Sequence, residues 1–135
     1  MAPPGGPRGG GAFAEFLGLR WDAPDAVRLP IRPELVNDVG RLLGPVVFSL
    51  ADYGMGAVVW EGLNDDEVCA TVNVAINFVD SAAEGEVVCR SRVDRRTRRA
   101  AATSCEIRHA DGRPLATAIG SFAVILGRTP PSPPA

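Results

Sequence analysis

Within this 135-residue chain, Asp52 is the side chain whose surroundings most need a chemical explanation. It stands in the longest apolar run, Leu42 to Trp60, where an ionised carboxylate is costly unless it is paired or opens on a cavity. On a helix, Ser49 and Gly56 would share its face as a thin stripe of polar or small residues. A carboxylate so placed suits general-base work. Gly44 and Pro45 open the same run. Proline is favoured in the first turn of a helix, where its missing N–H is not needed. Gly44 therefore falls at a helix N-terminus, where unsatisfied N–H groups collect and can hold a carbonyl oxygen or a developing oxyanion. The third candidate is electrostatic. Arg90, Arg92, Arg95, Arg96, Arg98 and Arg99, against Asp94 alone, give residues 90–99 a net charge of +5, and arginine forks take phosphates. Plainer readings stay open for all three: Asp52 on an exposed helix edge, Gly44 as an ordinary N-cap, and the arginines as a solvated edge strand that discourages aggregation. Cys69, Cys89 and Cys105 are odd in number, lack C-x-x-C spacing and read as buried small apolar residues. The single His109 completes no zinc or nucleophile set. No metal, disulfide or cofactor is expected.

These residues must be positioned by one domain, since the length leaves room for no more. All fourteen basic residues are arginine, sixteen residues are acidic, and the formal charge of -2 argues against a general nucleic-acid binder. The apolar run carries Asp52 and four glycines or prolines, so it is not a membrane span. The chain does not open on a charged segment followed by an apolar one, and a cytoplasmic location is expected. Residues 1–11 and 129–135 are mostly small residues and proline and are expected to be loose tails around a domain at 12–128.

Phe13, Phe16 and Leu17 recur at helical spacing and Gly18 ends that helix. A strand-like stretch with a turn at Ala23-Pro24-Asp25 leads through Val27, Leu29 and Ile31 to an Asn37-Asp38 loop. The run from Val46 to Trp60 is the one long helix, apolar nearly all round and therefore buried. Four β segments follow. In Glu67 to Val79 the even positions from Val68 to Phe78 are apolar and Thr71, Asn73 and Asn77 lie on the other face. Segments Glu86–Asp94, Ala100–His109 and Leu115–Leu126 continue the alternation, with Asp111-Gly112 as a hairpin turn. The layout is α+β, a long buried central helix wrapped by a curved antiparallel sheet. Small residues such as Ala116, Ala118 and Gly120 are read as facing outward, towards a second subunit.

Taken together, Asn37, then Leu43-Gly44-Pro45, then Asp52, then Thr71 to Phe78, and finally Asp111 to Phe122, resemble the hotdog-fold acyl-CoA thioesterases, especially the phenylacetate-pathway and 4-hydroxybenzoyl-CoA branch. The likeness runs from about Phe13 to Val124. It implies a hotdog fold and hydrolysis of an acyl-CoA or acyl-carrier-protein thioester. Asp52 would match the family's catalytic carboxylate, general base or nucleophile, and Gly44 the glycine whose N–H polarises the carbonyl. Thr71 would match a Ser or Thr, from the partner subunit, that places the water, and Asn37 the Asn beside the thioester. Arg95, Arg96, Arg98 and Arg99 would lie near the CoA phosphates. The likeness also implies a homodimer or homotetramer with its site at the subunit interface. Leu43 and Pro45 would stand at the pocket in place of the family's His and second Gly, and Asp80-Ser81 replaces a common Arg-Pro. Tyr53, Met55 and Trp60 are either pocket walls or core. The two loop departures keep two other readings open: a dehydratase, isomerase or cyclase of a secondary-metabolite intermediate, and a non-catalytic acyl-binding module.

Overall fold

The computed structural model of the chain describes residues 10–127. Of the two expected tails, residues 1–9 and 129–135 lie outside the described residues; Gly10 and Gly11 are described, and Gly11 opens the first helix. That helix, α1, spans Gly11–Leu17 and stops at Gly18, whose φ of 81° is the left-handed conformation glycine adopts without strain. Strands β1 (Arg20–Ala23) and β2 (Ala26–Pro30) form the hairpin expected around Pro24, and one 3-10 turn covers Pro33–Leu35. The long helix α2 runs from Gly44 to Glu61. It is followed by β3 (Glu67–Phe78), β4 (Glu86–Arg96), β5 (Ala100–His109) and β6 (Pro114–Leu126). All six strands join one antiparallel sheet in the order β1-β2-β4-β5-β6-β3. One face of the sheet packs on α2, as the α+β reading requires. No helix of the described residues is long and apolar enough to cross a membrane.

The seat of α2 follows from small residues on both sides. Val46, Val47, Leu50, Ala51, Gly54, Met55 and Val59 recur at three- and four-residue intervals and are buried against the sheet. Gly54 lies so close to β4 that a Cβ there would fall 2.6 Å from Cys89 Sγ and 2.8 Å from Ser91 Oγ. Gly120 on β6 meets Met55 in the same way, with Cε 3.0 Å from the position of a Cβ. Met55 is thus 0% exposed and takes the core reading of the two offered for it, not the pocket wall. Ala116, Ala118 and Gly120 are likewise buried beneath α2 rather than facing outward. The outward set on β6 is Thr117, Ile119, Ser121 and Ile125, and Ile119 is 63% exposed.

Strand β3 departs from simple alternation, and the departure places the site. Its pairing with β6 slips between Thr71, opposite Phe122, and Asn73, opposite Ser121. Val72 is the extra residue of a β-bulge, which kinks a strand and re-aims its side chains. Before the bulge the odd residues Cys69 and Thr71 face α2; after it the even residues Val74 and Ile76 do. The expected single apolar face from Val68 to Phe78 is therefore two half-faces, and Val72, counted as inward, is 67% exposed.

Candidate active site

Half-buried Asp52 sits on the side of α2 that looks at the bulge. The Thr71 hydroxyl donates to Asp52 Oδ1 over 2.8 Å. Both residues belong to one chain, so no partner subunit is needed to supply this hydroxyl. They line a cavity of about 180 Å³ with Gly10, Tyr53, Gly56, Trp60, Cys69 and Phe122. Burial pushes the Cys69 thiol up to about 11, with the Asp52 charge adding to the rise and Arg96 opposing it. Burial, then the same charge, also raises the Tyr53 phenol. Cys69 is therefore a neutral wall at neutral pH and not a nucleophile. Tyr53 donates to the Gly10 carbonyl over 3.2 Å, which ties the start of α1 to the rim of the cavity. Ser49, three residues before Asp52 on the helix, donates to Pro45 O within that helix at 2.9 Å.

At the other end of α2 lies a second cavity, of about 190 Å³, lined by Leu42, Gly44, Val47, Phe78, Asp80, Ser81, Ala82 and Leu115. The donors of this helix end can be followed one by one. Val46 and Val47 both donate to Leu43 O, at 3.0 and 3.1 Å, and Pro45 has no N–H. The Gly44 N–H is left for an acceptor outside the helix, in the field of the helix N-terminus. Asp80 and Ser81 are fixed on the rim by Arg113, which donates to Asp80 Oδ2 at 2.9 Å and to Ser81 O at 2.7 Å. That bond, then the Ser81 N–H, holds the Asp80 carboxyl below the usual aspartate range.

The remaining expected site residues divide. Trp60 lines the Asp52 cavity with Tyr53. Leu43 caps α2 and packs against the core, Pro45 is exposed, and neither lines a cavity described above. Asn37 folds its own loop, its Oδ1 accepting from Val39 N at 3.1 Å and Arg41 N at 2.9 Å, an Asx turn. That loop leads into Leu42 and Leu43, whose N–H groups bond Ala82 O and Leu35 O. Asn37 thus positions the start of α2. The arginine turn does form a β4–β5 hairpin, with the Ala100 N–H donating to Thr97 Oγ1 at 3.2 Å. Arg96 turns towards β3 and pairs with Glu67 at 3.5 Å. Arg98 and Arg99 border a groove of about 580 Å³ with Asn64, Glu67, Val124, Ile125 and Leu126. His109 is structural: its Nε2 lies 2.8 Å from Glu84 O and its Nδ1 accepts from Asp111 N. Among the described residues no group of three or more His, Cys, Asp or Glu is arranged to hold a metal.

The sequence signature of the thioesterase superfamily matches residues 39–116, more than half of the chain and the part that holds Gly44, Asp52 and Thr71. The chain belongs to the thioesterase superfamily. Solved structures agree on the hotdog fold. A conserved protein of Pseudomonas aeruginosa, PA5202, is 32% identical with a TM-score of 0.78 over 84% of this chain and 94% of its own. A phenylacetic acid degradation-related protein of Ralstonia eutropha is 25% identical, TM-score 0.76, over 84% and 89%. The BH2602 protein of Bacillus halodurans, solved with CoA, is 23% identical, TM-score 0.80, over 84% and 75%. No curated protein matches. Within this superfamily member, Phe122 and Cys69 escaped the sequence reading because only the bulge and the β3–β6 register bring them beside Asp52, whereas Gly56 shares its helix face as the spacing implies. The Asp80–Arg113 pair joins residues 33 positions apart, and no local signal announces it.

Proposed function

We propose that this superfamily member hydrolyses an acyl-CoA or acyl-carrier-protein thioester to a free acid and a thiol. The observation that carries the reading is the Asp52–Thr71 bond at an otherwise largely apolar cavity, a carboxylate with one oxygen fixed and the other left for water. Asp52 acts as general base: it takes a proton from water as the water oxygen attacks the carbonyl carbon. A Gly44 N–H at a helix N-terminus receives the oxyanion. When the carbonyl re-forms, the C–S bond breaks, and the thiolate leaves with the proton returned from Asp52.

Gly44 and Asp52 of one chain cannot share one carbonyl. They are eight residues apart on one helix, about 12 Å along its axis, and line separate cavities. The reading therefore needs two copies, Gly44 of one facing Asp52 of the other. Strand β3, an edge of the sheet with Val72 and Phe78 exposed and Val79 exposed just beyond its end, is the face offered for an isologous pairing. Arg98 and Arg99, at the border of the groove beside β6, are the cations proposed for the CoA phosphates, which accords with the CoA-bound relative. The test is thiol release from acetyl-, phenylacetyl- and octanoyl-CoA by the wild type and by Asp52→Asn, with folding checked by circular dichroism. Turnover should fall at least about a hundredfold in the variant, as when a general base is removed; unchanged turnover removes Asp52 from the mechanism. Absence of thiol release from every ester, with product formed from an intermediate thioester, would favour the dehydratase-like alternative that Leu43 and Pro45 keep open.

A further inference from the structure

Helix α2 carries two interior glycines of different character. A glycine inside a helix is less stable than an alanine. Gly54 has a packing reason, because Cys89 Sγ would lie 2.6 Å from its Cβ. Gly56 has none. The nearest atoms to a Cβ there are Phe122 Cε2 at 3.6 Å and Cζ at 4.0 Å, ordinary contact distances. An alanine would fit and would favour the helix, yet the residue stays bare on the face that lines the Asp52 cavity.

Its place in that cavity supplies the reason. Asp52, Gly56 and Trp60 are four residues apart and form one stripe along α2, facing Cys69 and Thr71 on β3 and Phe122 on β6. The stripe spans about 12 Å, with Gly56 at its midpoint. An acyl group whose carbonyl sits at Asp52 passes Gly56 before it reaches Trp60, and a side chain larger than alanine at 56 would reach past contact with the Phe122 ring and narrow that passage. We propose that Gly56 is the specificity-determining residue of the acyl chamber, admitting groups up to about the size of one ring past Asp52. The volume fits: about 180 Å³ stands close to the roughly 150 Å³ of an apolar cavity that takes up benzene. The inference rests on the thioester reading above and deepens it.

The experiment compares wild type, Gly56→Ala and Gly56→Val, each with phenylacetyl-CoA and acetyl-CoA. Gly56→Ala should melt at or above the wild-type temperature, since it removes a helix cost without a clash. In Gly56→Val the ratio of kcat/KM for phenylacetyl-CoA to that for acetyl-CoA should fall by about tenfold or more, as a filled pocket discriminates by size. A ratio within threefold of wild type in a folded variant overturns the proposal, as does wild-type preference for octanoyl-CoA over phenylacetyl-CoA. Titration calorimetry separates the two readings. Asp52→Asn should bind phenylacetyl-CoA about tenfold more tightly than Asp52→Asn/Gly56→Val does. That difference in a protein that hydrolyses no ester would sink the thioesterase reading and keep Gly56; equal binding would sink Gly56 alone.

Discussion

Gly54→Ala tests how α2 is held against the sheet, and with it the placement of Asp52 two residues away. The added Cβ would lie 2.6 Å from Cys89 Sγ and 2.8 Å from Ser91 Oγ, both below any ordinary contact. Neither neighbour can swing clear. Cys89 is 0% exposed on β4, a strand hydrogen-bonded to β2 and β5, and Ser91 is buried beside it. The alternative is for α2 to lift, which would loosen Leu50 and Met55 in the core. Overpacking of this kind costs about 1–3 kcal/mol, and the better helix propensity of alanine returns roughly 0.8–1 kcal/mol. At the middle of these ranges a net loss of about 1 kcal/mol follows, or a melting temperature lower by roughly 3–5 °C for a domain of this size. Calorimetry on wild type, Gly54→Ala, Cys89→Ala and the double variant closes the cycle. Deleting the sulfur should restore room, so the double variant should be more stable than the sum of the single losses by about 1 kcal/mol. A Gly54→Ala protein as stable as wild type, or strict additivity in the cycle, would refute the argument that this glycine is there to let the helix approach.

Other consequences can be measured on the same protein. Thr71→Val removes the hydroxyl on Asp52 while keeping the strand, and should lower kcat about tenfold, on the scale of a hydrogen bond to a charged group, with Thr71→Ser restoring it; equal activity in all three would make the bond incidental. Gly44→Pro deletes one N–H at a position whose preceding residue, Leu43, already has the extended ψ of 135° that proline asks for. It should cost about a hundredfold in kcat, and mixing it with Asp52→Asn should recover activity through hybrid pairs if the site is shared between copies. Arg98→Ala with Arg99→Ala should raise KM for CoA esters much more than for small non-CoA thioesters, and equal effects would return the pair to a solvated turn. Because Arg113 and the Ser81 N–H lower the Asp80 carboxyl, this link stabilises the fold above the ordinary aspartate pKa of about 3.9 and is lost as pH falls through the lower folded value. Asp80→Asn should therefore flatten the acid end of a stability–pH curve, and an unchanged curve would refute the link.

Much of this structure is legible in the residues themselves. Gly18, Pro24, Pro45 and Asp111-Gly112 act through local backbone chemistry, so the ends of α1, the first hairpin, the start of α2 and the last hairpin all fall where their types require. The faces of β3 do not follow in the same way. Its sequence alternates apolar and polar residues without a break, and nothing local says that one residue is skipped at Val72. The slip is decided across the ladder, where Phe122 and Ser121 on β6 take Thr71 and Asn73 as partners. The same limit hid the inward direction of Ala116, Ala118 and Gly120, whose small size reads equally well as an outward seam or as clearance for Met55.

The loop ahead of α2 bears on the oxyanion donor proposed above, since the His and second Gly that the resemblance implies are replaced here by Leu43 and Pro45. Leu43 turns its side chain to the core, and its carbonyl takes both the Val46 and Val47 N–H groups. With Pro45 between them contributing no N–H, the Gly44 N–H is the group at this helix end free to reach outward, next to a cavity walled by Phe78 and Leu115. A second glycine at 45 would have offered a competing donor; proline offers one direction and a fixed φ near the helical value. What the His would have contributed, a side chain at the acyl or thiol end, has no counterpart at 43. The nearest polar groups on that rim are Asp80 and Ser81, held by Arg113. On the reading proposed above, the Asp80–Arg113 pair is the polar feature nearest the Gly44 end of the helix, while the size selection proposed for Gly56 lies towards the other end.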